Sequence, residues 1–132
     1  MASKTNAVRL VEAAGYTCEE FFYAYDENDL NGNHAAKAIG FPAEQVFKTL
    51  VTRGSRTGIN VFVIPVCCEL DLKKAAKAAG DKSIEMLHVK DLLSVTGYIR
   101  GGCSPIGMKK KYPTYIDETC QLFDNIAVSA GE

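Results

Sequence analysis

The chain has 132 residues, 47% of them hydrophobic, which is enough apolar material for one compact core and too little length for a second domain. Fifteen basic residues against sixteen acidic ones leave a formal net charge of -1. That excludes the broad positive field needed for non-specific coating of nucleic acid, though not a local basic patch.

In chain order, Ser3 or Thr5 caps a first helix whose Ala7, Leu10, Val11 and Ala14 fall on one face before Gly15 ends it. This N-terminus is amphipathic and reads as neither a signal peptide nor a membrane span. The aromatic run Phe21 to Tyr25 is a predicted strand, and HAAKAIG a short helix closed by Gly40, after which Pro42 opens another turn at a first helical position. Phe47 to Thr52 and Ile59 to Val66 flank RGSRTG and predict a hairpin. Cys67 and Cys68 continue an apolar run and are expected on opposite faces of a strand.

Asp71 caps LKKAAKAAG, with Leu72, Ala75, Ala76 and Ala79 as its apolar stripe and Gly80 as its stop. Ser83 to Leu87 is a further strand, and Val89 to Val95 a helix stopped by Gly97. GGCSPIGMKKKYP holds too much Gly and Pro for regular structure; strands around Thr114 to Ile116 and Asn125 to Ser129 follow. These elements predict a single mixed α/β domain of the α+β type, with mostly antiparallel strands and flanking helices.

No Ser-His-Asp order, Walker loop or Rossmann fingerprint is present. The five cysteines are odd in number and lack C-x-x-C spacing, and His34 and His88 have no cysteine partners at ligand spacing. Reduced thiols, no metal and no cofactor are expected.

Two features carry chemistry. Lys48 interrupts an otherwise apolar strand, sharing a side with Leu50. It either snorkels to solvent or projects into a cleft as a point charge for a phosphate or carbonyl oxygen. The second is Gly101-Gly102-Cys103-Ser104-Pro105-Ile106-Gly107, where glycines let backbone N–H groups approach a ligand and Pro105 extends Ser104. It is either a structural turn or a cradle for an oxyanion or carboxyl ester. Lys109, Lys110 and Lys111 follow directly, as a solvated run or as phosphate-backbone contacts.

FKTLV, LDLKKAAKAAG, TGYIRGGCSPIGMKKKYPTYID and NIAVSAG, in this order and spacing, resemble the YbaK family of Cys-tRNA(Pro) deacylases and of editing domains inserted in bacterial prolyl-tRNA synthetases. The resemblance covers nearly the whole chain, and GG-x-S-P-x-G followed by lysines is closer to the cysteine-specific branch than to the alanine-specific one. It implies a barrel-like mixed sheet and a cytoplasmic ester hydrolase, or a lyase if substrate-assisted. The implied substrate is mischarged tRNA(Pro), with prolyl-tRNA synthetase as a partner and no membrane association.

By position, Lys48 is implied as the functional lysine, with Gly101 and Gly102 beside it in catalysis. Cys103, Ser104, Pro105, Tyr25 and Ser129 are implied in substrate binding, and Lys109 to Lys111 in tRNA binding. Asp117 matches a family aspartate for which a structural hydrogen-bonding role is expected equally. Family members continue past S-x-G with an R/K-x-G-L segment, and the expectation is one editing domain over residues 1–132 that stops short of it.

An aminoacyl ester is already activated, so positioning and oxyanion stabilisation suffice, with water, the substrate thiol or a ribose hydroxyl attacking. Cys103 has no base near it in sequence and reads as pocket-lining. The alternatives are a binding module without hydrolysis and an editing enzyme for Ala-tRNA(Pro) or another small amino acid.

Overall fold

The computed structural model describes residues 5–16, 18–19, 32–99 and 103–129. The predicted strand 21–25, Tyr25 itself, Gly101 and Gly102 lie outside them.

Thr5 caps α1 (Asn6–Ala13), its Oγ1 accepting from the Val8 amide at 3.3 Å. The buried side of α1 is Ala7 and Val8, not the full predicted stripe, since Leu10 is 46% exposed and borders an open cavity beside Gly107. α2 (Gly32–Ile39) follows, and Pro42 stands one residue earlier than expected, as the cap of a 3-10 turn over Ala43–Gln45.

The hairpin forms as predicted but runs further into its loop. β1 (Phe47–Gly54) and β2 (Gly58–Pro65) pair antiparallel along their whole length, joined by Ser55, Arg56 and Thr57, with Gly58 at φ 73°. A three-residue connection closes with a left-handed residue, and glycine takes it without a Cβ penalty. Asp81 locks this turn from outside: its carboxylate accepts from the Thr57 hydroxyl at 2.6 Å, the Thr57 amide at 2.8 Å, Ser55 Oγ at 2.9 Å and the Arg56 amide at 3.2 Å. A Cβ at Gly54 would fall 2.1 Å from that carboxylate, so the close approach requires glycine there.

β3 (Ile84–Met86) pairs antiparallel with β1, and β4 (Thr114–Ile116) pairs parallel with β2, giving the order β3-β1-β2-β4. The mixed, mostly antiparallel sheet is the one expected, but among the described residues it is open rather than barrel-like. Four strands with three-residue edges are too few to close a barrel. The predicted strand 125–129 reduces to one parallel bridge between Val46 and Ala127. β3 already occupies the far end of that edge of β1, leaving only its start free. Cys67 and Cys68 are not in a strand; β2 ends at Pro65 and both lie in the turn after it.

Strand alternation sorts the core. One face carries Phe62, Ile84 and Tyr115, which pack with Ala75 and Ala76 of α3 (Leu72–Ala79), the Phe62 and Tyr115 rings stacking at 5.3 Å. Asp71 caps α3 by accepting from the Lys73 and Lys74 amides, each at 3.1 Å, and Gly80 ends it at φ 70°. Leu72, expected in the stripe, is exposed instead. At the hairpin's open end Ala36 of α2 packs with Val46 and Val66. The opposite face buries Phe47, Val51, Val61 and Val63. α4 (Val89–Thr96) ends at Gly97, φ 87°, and leads into the glycine-rich segment. Among the described residues no helix is long and apolar enough to cross a membrane.

Candidate active site

Lys48 is half-buried in β1 and pairs with Ile64. Cross-strand partners share a face, so Lys48 lies on the α3 side of the sheet with Phe62 and Tyr115, near the end where β2 turns. Its charge acts on the thiol of Cys68, and so does that of Asp117, which places lysine, aspartate and thiol in one electrostatic neighbourhood. Desolvation is the main cause that pushes the Cys68 thiol up, followed by the hydrogen bond with Cys67, whose sulfur is 3.9 Å away.

Asp117 follows β4, its amide donating to Val63 O at 2.9 Å, and it caps a 3-10 turn over Glu118–Leu122. Its carboxylate accepts from the Thr119 amide at 3.1 Å and from the Thr119 hydroxyl. The structural role expected for it is therefore present, and its charge, like that of Lys48, acts on the Cys68 thiol. Ser129 is half-buried, two residues beyond the bridge at Ala127.

The described part of the glycine-rich segment is tightly tied to α4. The Tyr98 hydroxyl donates to Ile106 O at 2.7 Å, the Tyr112 hydroxyl to Val95 O at 2.8 Å, and the Lys109 amide to Thr96 O at 3.0 Å. Gly107 has φ 79°, and a Cβ there would meet Tyr98 Oη at 3.0 Å and Asn6 Nδ2 at 3.1 Å. Ser104 is fully buried and its Oγ accepts from the Ile106 amide at 3.2 Å, so this side chain shapes the loop. Cys103 is buried, and burial pushes its thiol up, partly offset by a hydrogen bond with Thr96. A buried thiol kept protonated is a poor nucleophile, in line with the pocket-lining reading.

Pro105 borders two cavities. One, of about 410 Å³, is lined by Val63, Ile116, Ile106, Ile126 and Val128. The other, of about 370 Å³, is lined by Leu10, Met108, Tyr112, Lys110 and Lys111. Thr114 borders both. Val63, Thr114 and Ile116 belong to the sheet face opposite Lys48. Neither of these two cavities is lined by Lys48; Pro105 joins Lys110 and Lys111 in one of them. Lys109 diverges from the other two, its stem lying against Gly97. Among the described residues no group of three or more His, Cys, Asp or Glu could hold a metal ion.

Sequence reasoning missed the thiol pair beside Lys48, although Pro65 was the available signal that the strand stops there. It also missed the Thr49 hydroxyl, buried without a hydrogen-bond partner among the described residues.

Residues 32–132 match the family model for the aminoacyl-tRNA editing domain. A protein of Enterococcus faecalis named as a Cys-tRNA(Pro)/Cys-tRNA(Cys) deacylase, EbsC, is 54% identical over 98% of this chain and 79% of its own. A proline–tRNA ligase of Shouchella clausii is 30% identical over 76% of this chain, a stretch that is 17% of the ligase. A crystal structure described as a trans-editing enzyme for prolyl-tRNA synthetase superposes with a TM-score of 0.72 at 26% identity, covering 80% of this chain and 66% of that one. The YbaK-type resemblance seen in the motifs thus extends to whole-chain similarity, and the chain belongs to the aminoacyl-tRNA editing domain family.

Proposed function

We propose that this protein is a deacylase that hydrolyses the ester of mischarged tRNA(Pro), with Cys-tRNA(Pro) as its main substrate, acting in the cytoplasm alongside prolyl-tRNA synthetase. The observation that carries this reading is the 54% identity, along almost the entire chain, to a protein named for that activity. Lys48 is a partly exposed cation able to hold the terminal phosphate or the ester carbonyl. By their match to the family motifs, the backbone amides from Gly101 to Ser104 are assigned to orient the aminoacyl group, with Tyr25 and Ser129 as further substrate contacts.

The chain supplies position rather than a nucleophile. Cys103 keeps its proton, so the attacking group is water or a group of the substrate. Lys110 and Lys111 flank a cavity continuous with Pro105, a place where the 3′ end of the tRNA meets positive charge. Residues 1–132 act as one editing domain.

The test is hydrolysis of Cys-, Ala- and Pro-tRNA(Pro) side by side by the purified protein. Cys-tRNA(Pro) should be cleared fastest and Pro-tRNA(Pro) spared. Preference for Ala-tRNA(Pro) would reassign the substrate, and no hydrolysis of any of the three would leave a binding module.

A further inference from the structure

Pro65 ends β2, and the next turn places two cysteines side by side in solvent. The sulfurs of Cys67 and Cys68 are 3.9 Å apart, both residues are exposed, and neither is in a disulfide. Of the remaining described cysteines, Cys103 is buried, Cys120 half-buried and Cys18 exposed. The turn is held by the Cys68 amide donating to Pro65 O at 3.0 Å and the Val66 amide donating to Val46 O at 2.8 Å. It abuts the start of β1, where Lys48 sits.

We propose that Cys67–Cys68 is a modification site, an exposed dithiol that a hydroperoxide converts to a disulfide between adjacent residues. The two sulfurs stand 3.9 Å apart, so when one attacks the other is placed to resolve; Cys68, whose thiol is raised chiefly by desolvation, takes the resolving part. The Cys67 thiolate displaces an alcohol from the hydroperoxide as the O–O bond breaks, and the leaving oxygen takes up a proton. Cys67 becomes a sulfenic acid. The Cys68 sulfur then attacks the Cys67 sulfur, the S–O bond breaks, and the departing hydroxide leaves as water with the Cys68 proton. Two thiols lose two electrons and two protons, and the peroxide is reduced to alcohol and water.

Bringing the sulfurs from contact to a bond of about 2.05 Å draws the two side chains together and reshapes the turn. Because exposed, strained disulfides are readily reduced, a thiol reductant reverses the step. The reshaped turn displaces the surroundings of Lys48, so oxidation lowers deacylation; this last part rests on the function proposed above.

The experiment treats the full chain with hydrogen peroxide, blocks free thiols with an alkylating agent and maps peptides by mass spectrometry. The peptide containing residues 67 and 68 should lose the mass of two hydrogens, take up no label, and regain both sites after dithiothreitol. Cys67→Ser and Cys68→Ser should each prevent that loss. Labelling of both cysteines after peroxide, or oxidation of Cys18 ahead of the pair, would overturn the proposal. Deacylation measured on the same samples should fall on oxidation in the wild type and hold in Cys67→Ser/Cys68→Ser. A disulfide that forms with activity unchanged would overturn the link to Lys48. Absence of deacylation in the reduced protein would count against the deacylase reading alone, because the mass change reads the dithiol independently.

Discussion

Lys48 is the residue on which the catalytic reading turns. It is half-buried and shares its sheet face with aromatic residues, so its stem packs while its charge remains available. If that charge stabilises the developing oxyanion or fixes the terminal phosphate, Lys48→Ala should reduce single-turnover deacylation about 10²-fold or more. Thermal stability should fall only slightly, because Lys48 is half-buried and its truncation removes stem packing rather than a core side chain. Turnover near the wild-type rate would return Lys48 to a snorkelling role. Cys103→Ser separates the other half of the mechanism, since a thiol held protonated by burial should be dispensable and most activity should survive. A dead Cys103→Ser with intact fold would make this a thiol-dependent enzyme.

Asp81 shows what one side chain does for an element. Hydrogen bonds from Thr57, then from Ser55 and the Arg56 amide, hold its carboxyl far below the usual carboxylate range. A depressed native pKa means the unfolded chain binds more protons in acid, so the contribution is complete above the unfolded value of about 3.9 and fades as the pH drops below it. Asp81→Asn should therefore lower the denaturation midpoint at pH 7, with the gap to wild type narrowing steadily below about pH 4. A constant gap across that range would mean that packing, not charge, is lost.

Elements with local causes were legible in the sequence. Thr5, Asp71, Gly80 and Gly97 mark helix ends through groups that cap or turn the backbone where they stand, and the hairpin announces itself in one stretch. Leu10 and Leu72 were misplaced because a stripe identifies apolar positions but not which of them meets a neighbour. The separation of Lys48 from Pro105 was not legible for a related reason. Alternation gives the side of a strand on which a residue lies, but only the pairing of β2 with β4 tells which side the loop packs on.

On the scale of the whole molecule, near-neutral net charge makes local clusters decisive for tRNA. Lys110 and Lys111 border the cavity beside Pro105, whereas the Lys109 stem follows Gly97. Replacing Lys110 and Lys111 by Ala should weaken tRNA binding and flatten the slope of log affinity against log salt by about 1.4 for two single-strand phosphate contacts. Lys109→Ala alone should leave the slope unchanged. Equal slopes for the double variant and wild type would identify the run as solvated surface.

The parallel pairing of β4 with β2 also dictates an order of assembly. The hairpin needs only a three-residue turn, whereas β4 reaches β2 after residues 66–113, which include α3, β3, α4 and the glycine-rich loop. Loop-closure entropy makes the short-range pairing early and the long-range pairing late. Lys48 therefore takes its place in the first structure to form, and Pro105 and its lysine-lined cavity in the last. Of the residues around the two cavities only Val63 belongs to the hairpin, so hydrolytic competence should emerge in the slow phase of refolding rather than with the hairpin.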